Sequence, residues 1–226
     1  MKLLQINTSL NTSSTGKIVS QISNMCIDNG DQSFIALSGR YYENRGEANT
    51  FRIGSKLDFY WHALVTRIFD RHGFGSKRAT KKLLKKIEYL KPDIIHLHNL
   101  HGYYINIEIL FNYLSFHKIP IVWTMHDCWA FTGHCSHFEF VECRKWKKAC
   151  YSCPQSSSYP SSFIVDNSKE NFIKKKKLFN SLNNMTIVPV SEWLDNQLRY
   201  SFLSDYDSRV IQNGIDLQIF KPSKSQ

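Results

Sequence analysis

The 226-residue sequence predicts an α/β fold built on a parallel sheet with helices on both faces. Three observations carry this. Short apolar runs alternate with helical patterns along most of the chain. Most of those runs are continuous rather than polar at every second residue, as strands buried on both faces are. Turn residues such as Asn29-Gly30, Pro92 and Pro120 stand at the joints.

Met1–Asn7 reads as a short buried strand, followed by the polar loop TSLNTSSTG. From Lys17 a helix places Ile18, Ile22, Met25 and Cys26 on one face and stops at Asn29-Gly30. QSFIALSG is the second strand and FRI a short third one. KLDFYWHALVTRIFDRHG and SKRATKKLLKKIEYLKP read as two helices, DIIHLHN as a strand, INIEILFNYLSFHK as a helix and IPIVWTM as the most apolar strand. From Cys128 to about Ser162 there is no periodicity. KENFIKKKKLFNSL, TIVPVS, EWLDNQLRYSF and SRVIQNG then read as helix, strand, helix and last strand.

A hydrophobic fraction of 42% with 14% aromatics excludes disorder for the bulk of the chain. No run of about 18 uncharged apolar residues is present, so no spanning helix is expected. The opening MKLLQINTSLN is too short in apolar residues for a secretory segment. The expectation is a cytoplasmic protein with reduced thiols. Lys plus Arg number 29 against 19 acidic residues, a net charge of +10. That balance fits a polyanionic neighbour (nucleic acid, an anionic membrane surface or a phosphorylated substrate) or simple solubility.

Parallel sheets of this kind bind ligands outside the carboxyl ends of their strands, where the strand order reverses. The residues so placed are Thr8–Lys17, Gly39-Arg40, His98-Asn99, His126-Asp127, Ser191-Glu192 and Asn213–Asp216. At the first helix, Thr15, Gly16 and Lys17 supply a capping hydroxyl, close backbone approach and a charge, suited to a phosphate or sugar oxygen. An ordinary N-cap reads the same way. His96 and His98 share one strand face, with His101 in the turn beyond. His96 sits mid-strand, as a hydrogen-bonded core histidine would, whereas His98 and Asn99 are placed to line a pocket. His126 can bond a sugar hydroxyl or transfer a proton, with Asp127 fixing its tautomer or capping the next turn.

Cys128, Cys135, Cys143, Cys150 and Cys153 are separated by six, seven, six and two residues. In a reducing compartment, structural zinc on Cys135, Cys143, Cys150 and Cys153 would tie down the long irregular stretch, leaving Cys128 a buried free thiol. Disulfides and plain buried cysteines are the alternatives. Four thiolates would leave no open coordination position, so such an ion would be structural.

Together QINTSLNTSSTGKIVSQI, PDIIHLHNLHGYYINIEILFNYL, TMHDCWAFTGHC with its later CYSC, VPVSEWL and VIQNGIDLQIF resemble the N-terminal half of a family 4 glycosyltransferase. The similarity is strongest to bacterial enzymes that build capsule, colanic-acid-type or O-antigen chains. The resemblance implies a GT-B architecture, two Rossmann-like domains with a cleft between them. It implies a retaining hexosyl transfer from a nucleotide-sugar to a growing, lipid-linked glycan, without a catalytic metal. His126 matches the histidine that contacts the transferred sugar, with Asp127 beside it. Thr15-Gly16 matches the loop near the donor diphosphate, and Asn213-Gly214-Ile215-Asp216 the passage to the second domain. The expected organisation is one acceptor-side domain over residues 1–216, with the Cys-rich loop 128–162 inserted, and a crossover beginning at 217–226. The family's Arg/Lys pair and Glu-x7-Glu donor motif have no counterpart here, so the chain alone is expected to be inactive and to need a donor-binding domain. On this reading Lys81, Lys82, Lys85, Lys86 and Lys174–Lys177 face an anionic membrane surface. A zinc-stabilised nucleic-acid-binding module and a non-catalytic assembly half are the rival readings.

Overall fold

The computed structural model describes residues 1–41, 49–215, 217 and 220–221. The elements run β1 (Lys2–Asn7), α1 (Ser14–Asp28), β2 (Gln32–Ser38), β3 (Thr50–Ile53), α2 (Lys56–Phe69), α3 (Lys77–Leu90), β4 (Ile94–Leu97) and α4 (Ile107–His117). They continue with β5 (Ile121–Met125), α5 (Ser168–Phe179), β6 (Met185–Pro189) and α6 (Glu192–Arg199). The strands form one all-parallel sheet in the order β3-β2-β1-β4-β5-β6. The order reverses between β1 and β4, so a ligand crevice is expected above that pair.

The α/β expectation holds, and its departures have local causes. α1 begins at Ser14, not Lys17, because Ser13 rather than Thr15 caps it: Ser13 Oγ accepts from the Gly16 amide at 3.1 Å. α2 ends at Phe69 because Asp70 takes a left-handed C-cap conformation at φ 48°. The predicted last strand over 208–214 is a single bridge from Ser208 to Ile187, with Ile211 N donating to the Pro189 carbonyl at 3.1 Å. Ile211 through Ile215 are exposed, so no buried side chains hold that segment in a longer ladder. The Cys-rich stretch contains three short 3-10 turns, Trp129–Phe131, Glu139–Val141 and Lys145–Lys147.

The sheet's faces differ in chemistry. Alternate residues, among them Leu4, Ile6, Ile95, Leu97, Trp123, Met125 and Ile187, point into one large apolar core with Leu110, Phe111 and Phe179. On the opposite face Ile35 and Leu37 meet Val19 of α1. The neighbouring positions there, Gln5, Asn7, His96, His98 and Thr124, are polar and buried.

Candidate functional site

A cavity of about 560 Å³ opens at the carboxyl ends of β1, β2 and β4, over the reversal point. One wall is the loop after β1, with Thr8, Ser9 and Thr12 to Thr15. Ser9 Oγ and Ser13 Oγ lie 2.7 Å apart, which folds the loop back on the helix start. The fit is tight at Gly16, where a Cβ would lie 3.1 Å from both the Asn11 nitrogen and Ser9 Oγ. The Gly16 and Lys17 amides are taken by Ser13, so an anion here would meet those of Ser14 and Thr15 at the positive end of the helix dipole.

The opposite wall is aromatic. Tyr103 packs edge-on against Phe59 at 5.4 Å and Tyr159 at 6.1 Å, and the Arg40 guanidinium lies 4.6 Å from the Phe59 ring centre. Apolar ring faces opposite a row of hydroxyls suit a sugar, whose C–H faces stack while its hydroxyls bond. Gly102, with φ 119°, brings the Tyr103 loop onto this pocket; a Cβ there would sit 2.5 Å from Thr8 Cγ2. Its amide donates to His72 Nε2 at 3.1 Å. Burial holds His72 well below the ordinary imidazole range and His62 at about 4, so both are neutral packing groups beneath the pocket floor.

Asn99 and His101 also border a second, smaller cleft formed with His98, His126 and Asp127. Asp127 does not pair with His126. Its Oδ2 accepts from His101 Nε2 at 2.7 Å and its Oδ1 from the Trp129 amide at 2.9 Å. Burial opposes ionisation of Asp127, but His101 and the Trp129 amide outweigh it and hold the carboxyl below the usual range. His101 Nδ1 reaches the Tyr159 hydroxyl at 3.1 Å. Burial lowers His126 to about 4, ahead of the opposing charge of Asp127, so it is neutral at pH 7. His126 Nε2 contacts His98 Nδ1 at 3.3 Å. His96 is, as its mid-strand position implied, a core histidine bonded to Thr124 Oγ1 at 2.8 Å.

Of the strand-end candidates, Thr8, Ser9, Thr12 to Thr15, Arg40 and Asn99 line the main pocket, and His98, Asn99, His126 and Asp127 the smaller cleft. Gly16 is buried behind the loop, and Lys17 is exposed on α1. Ser191 caps α6, its Oγ accepting from Leu194 N at 3.2 Å. Asn213 and Gly214 are exposed in the irregular segment beyond, and Asp216 lies outside the described residues. The sequence reading missed the aromatic wall. Phe59, Tyr103 and Tyr159 come from three separate segments, and only the fold unites them.

Lys81, Lys82, Lys85 and Lys86 are exposed on α3, but Lys175 is not a surface charge. It is 1% exposed, donates to the Trp129 and Thr132 carbonyls at 2.8 and 3.2 Å, and lies 3.4 Å from the Trp129 ring centre. Burial lowers it to about 7. Among the described residues no helix is long and apolar enough to cross a membrane.

All six cysteines are free thiols, and Cys128 is buried. Cys135, Cys143, Cys150 and Cys153 line one small cavity beside Trp146. A thiol hydrogen bond from Cys135 lowers Cys153 below the ordinary thiol range, and the Gly133 amide donates to Cys150 Sγ at 3.2 Å. Among the described residues no three His, Cys, Asp or Glu side chains stand in a metal-holding arrangement.

Comparison with known proteins agrees with the geometry. The chain is 29% identical over 159 residues to an Escherichia coli (strain K12) protein whose name describes a colanic acid biosynthesis glycosyl transferase, WcaC; the match covers 67% of this chain and 38% of that one. Sucrose-phosphate synthase from Thermosynechococcus elongatus superposes with a TM-score of 0.55 at 11% identity, over 98% of this chain and 50% of that one. The chain thus spans half or less of each of these proteins, and its sheet has the Rossmann-like form of one domain of the synthase. The profile described as Glycosyltransferase Family 4 matches residues 38–219. With four-fifths of its length inside that profile, and the crevice where such a sheet places it, the chain belongs to glycosyltransferase family 4.

Proposed function

We propose that this chain supplies the acceptor-side domain of a retaining hexosyltransferase. The enzyme moves a sugar from a nucleotide-sugar to a growing surface-polysaccharide acceptor carried on a lipid. The observation that carries the reading is the pocket over the strand-order reversal, aromatic on one wall and hydroxyl-lined on the other. It accommodates a sugar ring, and the start of α1 is suited to a donor phosphate. His101 borders this pocket and, with the neutral His126 and Asp127, lines the smaller cleft. The chemistry would rest on positioning and on charge stabilisation at the leaving diphosphate, without a catalytic metal. Donor contacts from Ser191, Asn213 and Gly214 belong to the same proposal, as does a second, donor-binding domain.

The test is saturation-transfer NMR of the chain with hexose oligosaccharides from surface polysaccharide. Binding is expected, with Tyr103→Ala weakening it about tenfold through loss of a stacking wall worth roughly 1–1.5 kcal/mol. No glycan binding, together with steeply salt-dependent binding of RNA or DNA, would favour the nucleic-acid reading instead. The exposed lysines of α3 fit the membrane part of the proposal. Sedimentation with anionic but not neutral vesicles is the expected result.

A structural zinc on Cys135, Cys143, Cys150 and Cys153 is part of the same proposal. The four thiols share one cavity, and the buried Lys175 ammonium beside Cys150 would balance thiolate charge. The ion would have to draw the sulfurs inward from where they stand. One zinc per chain by elemental analysis is the expected outcome; no metal and reactive thiols at all four positions would remove it.

A further inference from the structure

A line of buried polar groups runs across the sheet from α1 to His126, and its hydrogen-bond directions are fixed from one end. The Val19 carbonyl can only accept, so the Gln5 atom facing it at 3.0 Å is the amide nitrogen. The Gln5 oxygen therefore faces His98 Nε2, 3.3 Å away, and that nitrogen must carry the proton. His98 is 1% exposed, has no ion pair among the described residues, and has the His96 ring 4.1 Å away, an environment that keeps it neutral. Burial, reinforced by His96 and His126, works in the same direction. With its proton on Nε2, His98 offers a bare Nδ1, which can only accept. Its partner at 3.3 Å, His126 Nε2, must then be the donor. The two ring planes are inclined by 16°, with their centres 5.6 Å apart. The neutral His126 is left with a lone pair on Nδ1, on a ring that lines the smaller cleft.

We propose that Gln5 sets the tautomer of His126 through His98, so that His126 meets its ligand as an acceptor at Nδ1 and selects a group with a proton to give, such as a sugar hydroxyl. Gln5 and His98 are positioning residues: neither lines the main pocket, and each acts through the next ring. The ligand class rests on the glycosyltransfer reading; the tautomer relay does not.

The experiment is long-range ¹H–¹⁵N correlation NMR at pH 7 on the full chain labelled with ¹⁵N-histidine, which reports each ring's protonated nitrogen. His98 and His126 are both expected neutral with the proton on Nε2. His126 protonated on Nδ1, or on both nitrogens, would overturn the proposal without any variant. In Gln5→Met, the His126 tautomer is expected to change from almost all Nε2–H to a mixture with a large Nδ1–H share. An unchanged His126 in a folded Gln5→Met chain would show that Gln5 is not the setter and overturn the relay. Adding hexose oligosaccharide or nucleotide-sugar then separates the two readings. If the Nε2–H tautomers are present but no sugar perturbs the Nδ1 signal, the relay stands and the assignment of the ligand fails.

Discussion

On one face of the sheet, Ile95, Leu97, Trp123 and Met125 run into a single apolar core with Phe111 and Phe179, the Phe111 and Phe179 ring centres 4.5 Å apart. On the other, the same strands present His96, His98, Thr124 and His126, joined to Gln5 by hydrogen bonds that each have a direction. The first face is held by area removed from water, which is indifferent to small rotations. The second is held by groups that must each find one partner in one orientation. The difference assigns the work: one face stabilises the sheet, and the other carries orientation outward to the strand ends where ligands bind.

Mild acid should act first on the buried histidines, three of them on the polar face and two in and just after α2, and this is the largest effect expected. His62, His96 and His126 are held near 4, and His72 and His98 well below the ordinary imidazole range, chiefly by burial. Their folded values lie below the unfolded value near 6.5, so the unfolded chain binds more protons in between. Their contribution is whole above about 6.5 and drains as pH falls toward 4, by about 1.4 kcal/mol per pH unit for each proton taken up. His134 runs the other way. Burial opposes its charge, but Asp70 at 2.6 Å raises it, so its contribution is present at low pH and lost as pH climbs through its folded value. One such group does not offset five. The urea midpoint should fall steeply from pH 7 to pH 5, and a flat profile would contradict the neutral buried histidines.

The apolar face should answer to volume instead. Phe111→Ala is expected to cost about 3–5 kcal/mol in urea unfolding at pH 7, with the acid response otherwise unchanged. Thr124→Val keeps the shape but strands His96 Nε2, for a loss of roughly 1–2 kcal/mol at pH 7. Ser13→Ala, removing the cap of the helix that covers the polar face, should cost about 1 kcal/mol. If Thr124→Val proved as damaging as Phe111→Ala, the division of labour between the faces would be wrong.

The parallel sheet and its ligand-bearing ends were legible because both follow from local pattern: continuous apolar runs, and turn residues at the joints. The core role of His96 was legible too, from its mid-strand position. What escaped the sequence was pairing at long range. Asp127 sits next to His126 in the chain, yet its imidazole partner is His101, because the backbone turns at the strand end and directs the carboxylate across to the neighbouring loop. Lys175 reads as one of four solvated lysines, but helical rotation turns that one inward to the Trp129 and Thr132 carbonyls. Tyr159 is silent in sequence, since nothing local marks a residue in an irregular stretch as the one that reaches a pocket.

Asp70 is bound by parts of the chain far from one another in sequence. Its carboxylate accepts from His134 Nδ1 at 2.6 Å and the Asn167 amide at 3.0 Å, and its carbonyl from Asn171 Nδ2 at 2.6 Å. Between those anchors, Ser162 and Phe163 are fastened to the Arg67 carbonyl. The irregular segment is thus a closed ring, clamped at both ends to one turn after α2. A protease that nicks it between Gln155 and Ser158 would produce two chains on a denaturing gel and one particle in solution, with both stumps still gripped. Held at both ends, this ring is the place where opening, labelling or lengthening the chain is expected to leave the sheet it is tied to intact.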